Sequence, residues 1–175
     1  RWVEVDIALE NFELSWLPYF DAVVHLAGTK ESNDKSVIPF LAGNEQSTVR
    51  LFQAVSERTD LFILASSQMV YGNTTHLAVT ENFPLRPNNS SYACSKINSE
   101  NWMQLFQARN GGRHLALRFC GFIDGGGFID YLIDQALFGK NIQLNAQGKV
   151  RRDYLSSADV VEAVISAINF SGSAG

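Results

Sequence analysis

The chain has 175 residues, of which 46% are hydrophobic and 18% are charged, and its formal net charge is −4. This composition is typical of a globular domain and excludes a disordered chain. The sequence has no lysine- and arginine-rich run, which argues against nucleic acid or an anionic membrane as a partner. No apolar stretch approaches the roughly 18 residues of a membrane span. Two cysteines are too few for a disulfide framework, so we expect a cytoplasmic protein.

Short apolar runs alternate with segments of helical period along the whole chain. In chain order, the predicted elements are a strand at 2–5, a helix at 8–17, strands at 21–27 and 61–65 on either side of a helix at 44–57, a loop at 71–90, a helix at 91–109, a strand at 114–119, and helices at 128–138 and 160–168. This alternation predicts βα units around a parallel sheet, hence an α/β fold. No repeat or linker interrupts it, so we predict one domain over 1–175.

The last predicted helix has the clearest amphipathic period. Its apolar residues fall at i, i+3, i+4, i+7 and i+8, starting from Val160. Asp159 precedes them and Glu162 lies three residues further on, which resembles a capping box. The pattern therefore predicts a helix that begins at Val160, with Asp159 as its cap.

Tyr92 and Lys96 lie four residues apart on the predicted helix 91–109, so both side chains project from one face. A lysine cation favours the phenolate and lowers the pKa of a nearby tyrosine from its usual value of about 10. Such a tyrosine can take a proton from a substrate hydroxyl. The same spacing is common on solvated helices, so it is a weak signal on its own.

Two serines follow the predicted strand 61–65. A hydroxyl at the carboxyl end of a parallel strand lies where open α/β sheets bind their ligands. We therefore predict that Ser67 and Tyr92 hydrogen-bond the same substrate hydroxyl, and that Ser66 caps a turn. Two further side chains are predicted to be structural: His25 in a buried hydrogen bond and Glu100 in an ion pair or packing contact. His114 is predicted to lie on the surface or in a loop.

These residues belong to an ordered set of motifs. The set comprises Val5-Asp6-Ile7, His25-Leu-Ala-Gly28, Asn44, Ser66-Ser67-x-x-Val70-Tyr71-Gly72, Tyr92-x-x-Ser95-Lys96, Leu117-Arg118-Phe119 and Arg152-Asp153-Tyr154. It resembles the extended short-chain dehydrogenase/reductase family, the NAD-dependent epimerases and dehydratases of nucleotide sugars, and most of all the UDP-galactose 4-epimerases. The resemblance runs from about Val3 to Ala167 and implies a Rossmann-like, doubly wound parallel sheet flanked by helices.

The resemblance implies a role for each matching residue. Ser67, Tyr92 and Lys96 would be catalytic, and Ser67 and Arg152 would bind a nucleotide sugar, Arg152 at its diphosphate. NAD or NADP would be the cofactor. Its binding residues would be Asp6 and Ile7 at the adenine, Ala27, Gly28 and Lys30 along the dinucleotide, Asn44 beneath it, and Tyr92, Lys96 and Phe119 near the nicotinamide end.

The implied reaction is epimerisation or reduction of a nucleotide sugar through a transient keto-sugar. The dehydratases of the family carry an Asp-Glu pair after the residue that matches Ser67, where this chain has Gln68 and Met69. Neither side chain can act as an acid or base, so we disfavour a dehydratase. The epimerases usually have an asparagine at the position of Gly121, so the identity of the sugar stays open.

The glycine-rich dinucleotide loop of the family has no counterpart here. Before Gly111 the only glycines are Gly28, Gly43 and Gly72, in no such motif. The resemblance therefore implies that a first βαβ unit of roughly 30 residues is missing, and that a substrate-binding region begins after about residue 120 and is incomplete.

Two hypotheses remain open from the sequence. One is an epimerase-like enzyme, and the other is a truncated, catalytically impaired family member that acts as a dimerising or binding module. The predicted helices at 44–57 and 91–109 are similar to those that form the dimer interface in this family, which implies a homodimer.

Overall fold

The computed structural model describes residues 3–8, 16–30, 36–74, 78–124 and 127–170. Its elements are β1 (Val23–His25), α1 (Ile38–Phe40), a π-helix (Leu41–Gln46), α2 (Ser47–Val55), β2 (Leu61–Ser67), a 3-10 helix (Gln68–Tyr71), α3 (Ser91–Asn110), β3 (Arg113–Phe119), β4 (Gly121–Phe122), α4 (Phe128–Leu137), a 3-10 helix (Asn145–Gly148), β5 (Tyr154–Leu155) and α5 (Ser157–Asn169). They form two compact units, which meet in sequence between Arg118 and Phe119.

The first unit is built on a three-stranded sheet in the order β1-β2-β3. β1 and β2 pair in parallel, with Val23 opposite Phe62 and His25 opposite Leu64. β2 begins with a continuous apolar run, Leu61 to Leu64, in which every side chain is buried. Such burial on both faces is typical of the central strand of a parallel sheet in an α/β protein. The predicted α/β fold is therefore confirmed.

Helices α2 and α3 pack against each other, and α3 packs against β2. The ring of Phe52 on α2 stacks on Phe106 of α3 at 4.3 Å and meets Phe62 of β2 edge-on at 5.2 Å. Burying one such side chain stabilises a fold by about 1.5–3 kcal/mol. This core fixes α3 against β2, the two elements that carry the predicted catalytic residues.

The second unit contains the parallel pair β4–β5 and the helices α4 and α5. A capping box begins α5: the Ser156 hydroxyl accepts from the Asp159 amide at 3.1 Å, and the Asp159 carboxylate accepts from the Ser156 amide at 3.4 Å. The prediction of an Asp159–Glu162 box was wrong by one turn, because Ser156 has the extended backbone that a cap requires.

Several predicted element bounds need correction. The predicted strand 2–5 is not a strand over residues 3–5, which pair with no other strand in the described part of the chain. The strand predicted at 21–27 is limited to Val23–His25, the residues that pair with β2. The helix predicted at 44–57 begins at Ile38, where Pro39 suits a first helical turn, and ends at Val55. Most of the helix predicted at 8–17 lies outside the described residues.

The other predictions agree with the structure to within one residue at each end for β2, α3, β3, α4 and α5, except at the start of α5 and the end of β2. α5 begins three residues earlier than predicted, at its serine cap, and β2 extends to Ser67. His114 was wrongly predicted to be exposed: it lies in β3 with 6% of its surface accessible, and its ring meets Phe52 edge-on at 4.9 Å.

Candidate active site

Tyr92 and Lys96 lie on the first two turns of α3. The helix begins after Ser90, whose hydroxyl accepts from the Ala93 amide at 3.0 Å. The Lys96 amine lies 5.8 Å from the centre of the Tyr92 ring. Phe40 meets the same ring edge-on at 6.4 Å. The two side chains therefore share one face of the helix, as the spacing predicts.

The Lys96 side chain is buried, with 6% of its surface exposed, and its amine donates a hydrogen bond to the Ala65 carbonyl at 2.9 Å. Burial lowers the pKa of Lys96, and the nearby Glu100 carboxylate opposes that effect. This hydrogen bond joins the Tyr92–Lys96 face of α3 to the carboxyl end of β2.

Ser67 is the last residue of β2, and its hydroxyl accepts from the Met69 amide at 3.2 Å as the cap of the 3-10 helix. Ser66 was predicted to be the turn cap, but its hydroxyl instead donates to the Glu100 carboxylate. Alternate strand residues face opposite sides of a sheet. Ser66 therefore lies with Leu64 on the side of the sheet that faces α3, and Ser67 is the residue that caps the 3-10 helix.

Asn44 lies in the π-helix and has 1% of its surface exposed. Its side-chain oxygen accepts from the Thr29 amide at 2.8 Å. Its side-chain nitrogen donates to the Ser95 hydroxyl at 2.8 Å and to the Thr29 carbonyl at 3.2 Å. One amide thus connects the loop after β1 with the helix of Tyr92 and Lys96. Segments of π-helix are frequent at functional sites.

His25, at the end of β1, makes the predicted structural hydrogen bond. Its Nε2 lies 3.0 Å from the Thr48 hydroxyl, and the ring is 2% exposed. Burial, and then the positive charge of Lys96, lower the pKa of His25 to about 4. The ring is therefore neutral at physiological pH and adds no charge to the site.

A cavity of about 570 Å³ lies beside the end of β1. Its lining comprises Glu4, Val5, Asp6, Ile7, Ala8, Ala27, Gly28, Thr29, Pro39, Ala42, Gly43 and Ser47. The lining includes four predicted cofactor residues, Asp6, Ile7, Ala27 and Gly28, whereas Lys30 is exposed and is not part of it. A side chain at Gly28 would lie 2.6 Å from the Asn44 oxygen, so only glycine fits there.

The remaining predicted site residues belong to the second unit. Phe119 ends β3 with its ring 6.5 Å from that of Phe122, and Arg152 is exposed just before β5. The structure thus brings together Gly28, Asn44, Tyr92 and Lys96 in the first unit.

Sequence reasoning gave no structural role to the small hydroxyl residues that hydrogen-bond within this cluster. The hydroxyls of Thr48 and Ser99 both donate to the Asn44 carbonyl, at 2.6 and 3.2 Å, and Ser95 binds the Asn44 side chain. A signal was present: Ser95 and Ser99 are four residues apart, on the buried side of a helix that is polar overall.

Within the described ranges, no group of three or more His, Cys, Asp or Glu residues could hold a metal ion. Over the same residues, no helix has both the length and the apolarity that crossing a membrane demands.

The parallel sheet flanked by helices places the chain among the Rossmann-like α/β proteins. The model of the NAD dependent epimerase/dehydratase family matches residues 4–174, and the chain belongs to this family. It is 26% identical over 161 residues to a putative UDP-glucose 4-epimerase of Methanocaldococcus jannaschii, covering 86% of this chain and 52% of that protein.

Two solved structures are similar to this chain over nearly its whole length. UDP-glucuronic acid 4-epimerase from Bacillus cereus in complex with NAD has a TM-score of 0.85 and 26% identity, over 96% of this chain and 55% of that one. MoeE5 in complex with UDP-glucose and NAD has a TM-score of 0.86 and 27% identity, over 98% and 60%. The chain spans about half the length of two curated relatives that match most of it.

Proposed function

We propose that this chain carries the catalytic residues of an NAD-dependent nucleotide-sugar epimerase that works through a transient keto-sugar. The proposal rests on the position of the buried Lys96 amine. This amine donates a hydrogen bond to the Ala65 carbonyl and lies 5.8 Å from the centre of the Tyr92 ring. Membership of the family supports it. So do structural relatives that were solved with NAD, or with UDP-glucose and NAD.

We place the adenosine end of NAD in the cavity beside β1. Its volume of about 570 Å³ lies within the roughly 300–1,000 Å³ of small-molecule sites. Ala27 and Gly28 are exposed at its edge, where a glycine lets a ligand approach the backbone closely. Asp6 supplies a carboxylate to the same lining. The chemistry that bound NAD⁺ supplies is the reversible acceptance of a hydride.

In the proposed reaction, the Tyr92 phenolate takes the proton of a sugar hydroxyl as the hydride leaves the same carbon. The Lys96 cation stabilises the phenolate, and the Ser67 hydroxyl hydrogen-bonds the sugar oxygen. The carbon becomes a ketone. Return of the hydride to its other face, with the proton from Tyr92, gives the epimer. Arg152 binds the diphosphate of the nucleotide, a task suited to a guanidinium.

We assign the substrate-binding region to the second unit, which begins at Phe119, and we propose a homodimer through α2 and α3. A groove of about 330 Å³ supports the dimer: Leu41, Val49 and Trp102 give it apolar side chains, and its other lining residues are Glu45, Gln46, Arg50 and Gln53. The unpaired cysteines Cys94 and Cys120 favour a cytoplasmic location.

Turnover by the purified chain tests this function. UDP-glucuronic acid, UDP-glucose and UDP-galactose are each incubated with NAD⁺, and inversion at C4 is followed by proton NMR. NAD⁺ binding is titrated separately by calorimetry. We expect Tyr92→Phe to lower turnover by about 10²–10⁴-fold while NAD⁺ still binds.

Tyr19→Phe is the matched control, because Tyr19 is 60% exposed and its hydroxyl bonds Asp60 on the surface. This variant should turn over at the wild-type rate. Undiminished turnover by Tyr92→Phe would refute the catalytic assignment. A wild-type chain that does not bind NAD⁺ would instead favour the hypothesis of a catalytically impaired binding module.

A further inference from the structure

Glu100 is a buried carboxylate, 1% exposed, that lies one turn after Lys96 on α3. The Arg118 guanidinium binds both of its oxygens: Nε lies 3.0 Å from Oε1, and Nη2 lies 2.7 Å from Oε2. The Ser66 hydroxyl donates to the same carboxylate. A buried charge persists only when it is paired and hydrogen-bonded, and Glu100 meets both conditions.

Arg118 extends this contact to the loop after β2. Its Nη1 donates to the Tyr71 hydroxyl and to the Glu81 carbonyl, each at 2.8 Å. The hydrogen bond to Glu100, and then that to Tyr71, raise the pKa of Arg118. The guanidinium therefore remains charged. Through it, β3 contacts both the Glu100 carboxylate on α3 and the loop after β2.

Two contacts in register connect α3 to the end of β2. Lys96 donates to the Ala65 carbonyl, and one helical turn later Glu100 accepts from the Ser66 hydroxyl. Two successive strand residues, Ala65 and Ser66, therefore contact successive turns of α3. Ser67 is the next and last residue of β2.

We propose that Glu100 is a positioning residue: through Ser66 and Arg118, it fixes the strand end that carries Ser67 against the helix that carries Tyr92 and Lys96. This inference rests on the proposed function, which makes those three residues catalytic. Glu100 itself takes no part in the proton transfer.

The position of Glu100 has an electrostatic consequence. A carboxylate one turn away favours the ammonium form of Lys96, which is the form that stabilises a phenolate. Among the described residues, the titratable groups around the Lys96 amine are Tyr92 and Glu100 on α3 and His25 on β1. β2 contributes the neutral Ala65 carbonyl, and the π-helix contributes the neutral Asn44 beside Gly28. Arg118 on β3 faces Glu100.

The test is a titration of Lys96 in the full chain without ligands. Lysine labelled with ¹³C at Cε is incorporated, the Lys96 resonance is assigned by its loss in Lys96→Arg, and its shift is followed against pH. Glu100→Gln removes the anion that favours the Lys96 ammonium, so the midpoint of the Lys96 titration should fall. Ser66→Ala removes a hydrogen-bond donor that disperses the charge of the Glu100 anion. The more concentrated charge favours the Lys96 ammonium, so the midpoint of the Lys96 titration should rise. Asn101→Ala, an exposed change on the same helix, should leave it unmoved.

Opposite shifts in Glu100→Gln and Ser66→Ala support the proposal, since a general loosening of the fold would move both midpoints the same way. Shifts in one direction, or none beyond the Asn101→Ala control, overturn it. Should Glu100→Gln lose its cooperative thermal transition, Ser66→Ala decides alone: a rise of the Lys96 midpoint beyond the Asn101→Ala control supports the proposal, and a fall or no change overturns it. The titration needs neither NAD⁺ nor sugar, so a wild-type chain that binds no NAD⁺ would defeat the proposed function without altering this result.

Discussion

His25 shows how a single buried residue makes stability depend on pH. Its ring lies beneath the candidate site, bonded to Thr48 and close to the charge of Lys96. Its pKa in the folded chain is about 4, against about 6.5 when it is unfolded. Below pH 6.5 the unfolded chain therefore binds a proton that the folded chain does not, and stability falls as the pH falls.

We predict that His25 alone destabilises the wild-type chain by about 3 kcal/mol between pH 6.5 and pH 4. Urea unfolding at a series of pH values measures this loss, and His25→Gln, which does not titrate, should lose less. Some slope remains in the variant, because burial also lowers the pKa of His114. Equal losses in the two proteins would contradict the prediction, and between pH 7 and 8 their slopes should agree.

The relative position of two side chains was predictable where it depends only on their spacing along one helix. Tyr92 and Lys96 share a face because four residues make about one helical turn, and the structure places them so. The contacts of Asn44 with Thr29 and Ser95 join residues 15 and 51 positions apart. No local pattern encodes such pairs, because only the packing of α3 on the π-helix brings them together.

The start of α5 gives a prediction about a single element. Ser156 caps the helix, and the loop after β4 adds to this cap, since the Asp124 carboxylate accepts from the Ser157 amide at 2.9 Å. We expect Ser156→Ala to lower the free energy of unfolding by about 1 kcal/mol, measured by urea unfolding followed by circular dichroism.

Ser166→Ala provides the comparison within the same helix. Ser166 is exposed in the helix interior, where alanine has the higher helix propensity, so this variant should be as stable as the wild type or slightly more so. A loss in Ser166→Ala as large as that in Ser156→Ala would show that the cap has no special effect.

At the level of elements, β2 and α3 were predictable because each is long and has a strong pattern. β1 has only three residues, and its length is set by pairing with β2. The π-helix had no signal in the sequence. Within it Gly43 lies close to Thr29, and an added Cβ there would collide with the Thr29 hydroxyl oxygen.

For the whole molecule, the proposed dimer makes a separate prediction. Trp102 lies on the exposed side of α3, in the groove that it shares with α2. If this groove is the interface, Trp102→Glu should convert the dimer to a monomer, because it places a charge against a second copy of the same surface. Sedimentation velocity measures the change.

Asn101→Glu adds the same charge at an exposed neighbouring position outside the groove lining, and should leave the dimer intact. A wild-type chain that sediments as a monomer, or a Trp102→Glu variant that stays dimeric, would contradict the proposed interface.

The two glycines at the cavity determine which atoms a ligand would meet there. Gly28 and Gly43 both line it, and at each of them a Cβ would collide with a neighbouring side chain. Part of the cavity wall therefore consists of peptide groups, which every amino acid carries in the same form. Recognition through peptide groups does not depend on which side chains occupy the neighbouring positions. In the proposed dinucleotide site, replacement of neighbouring side chains would leave these peptide groups in place.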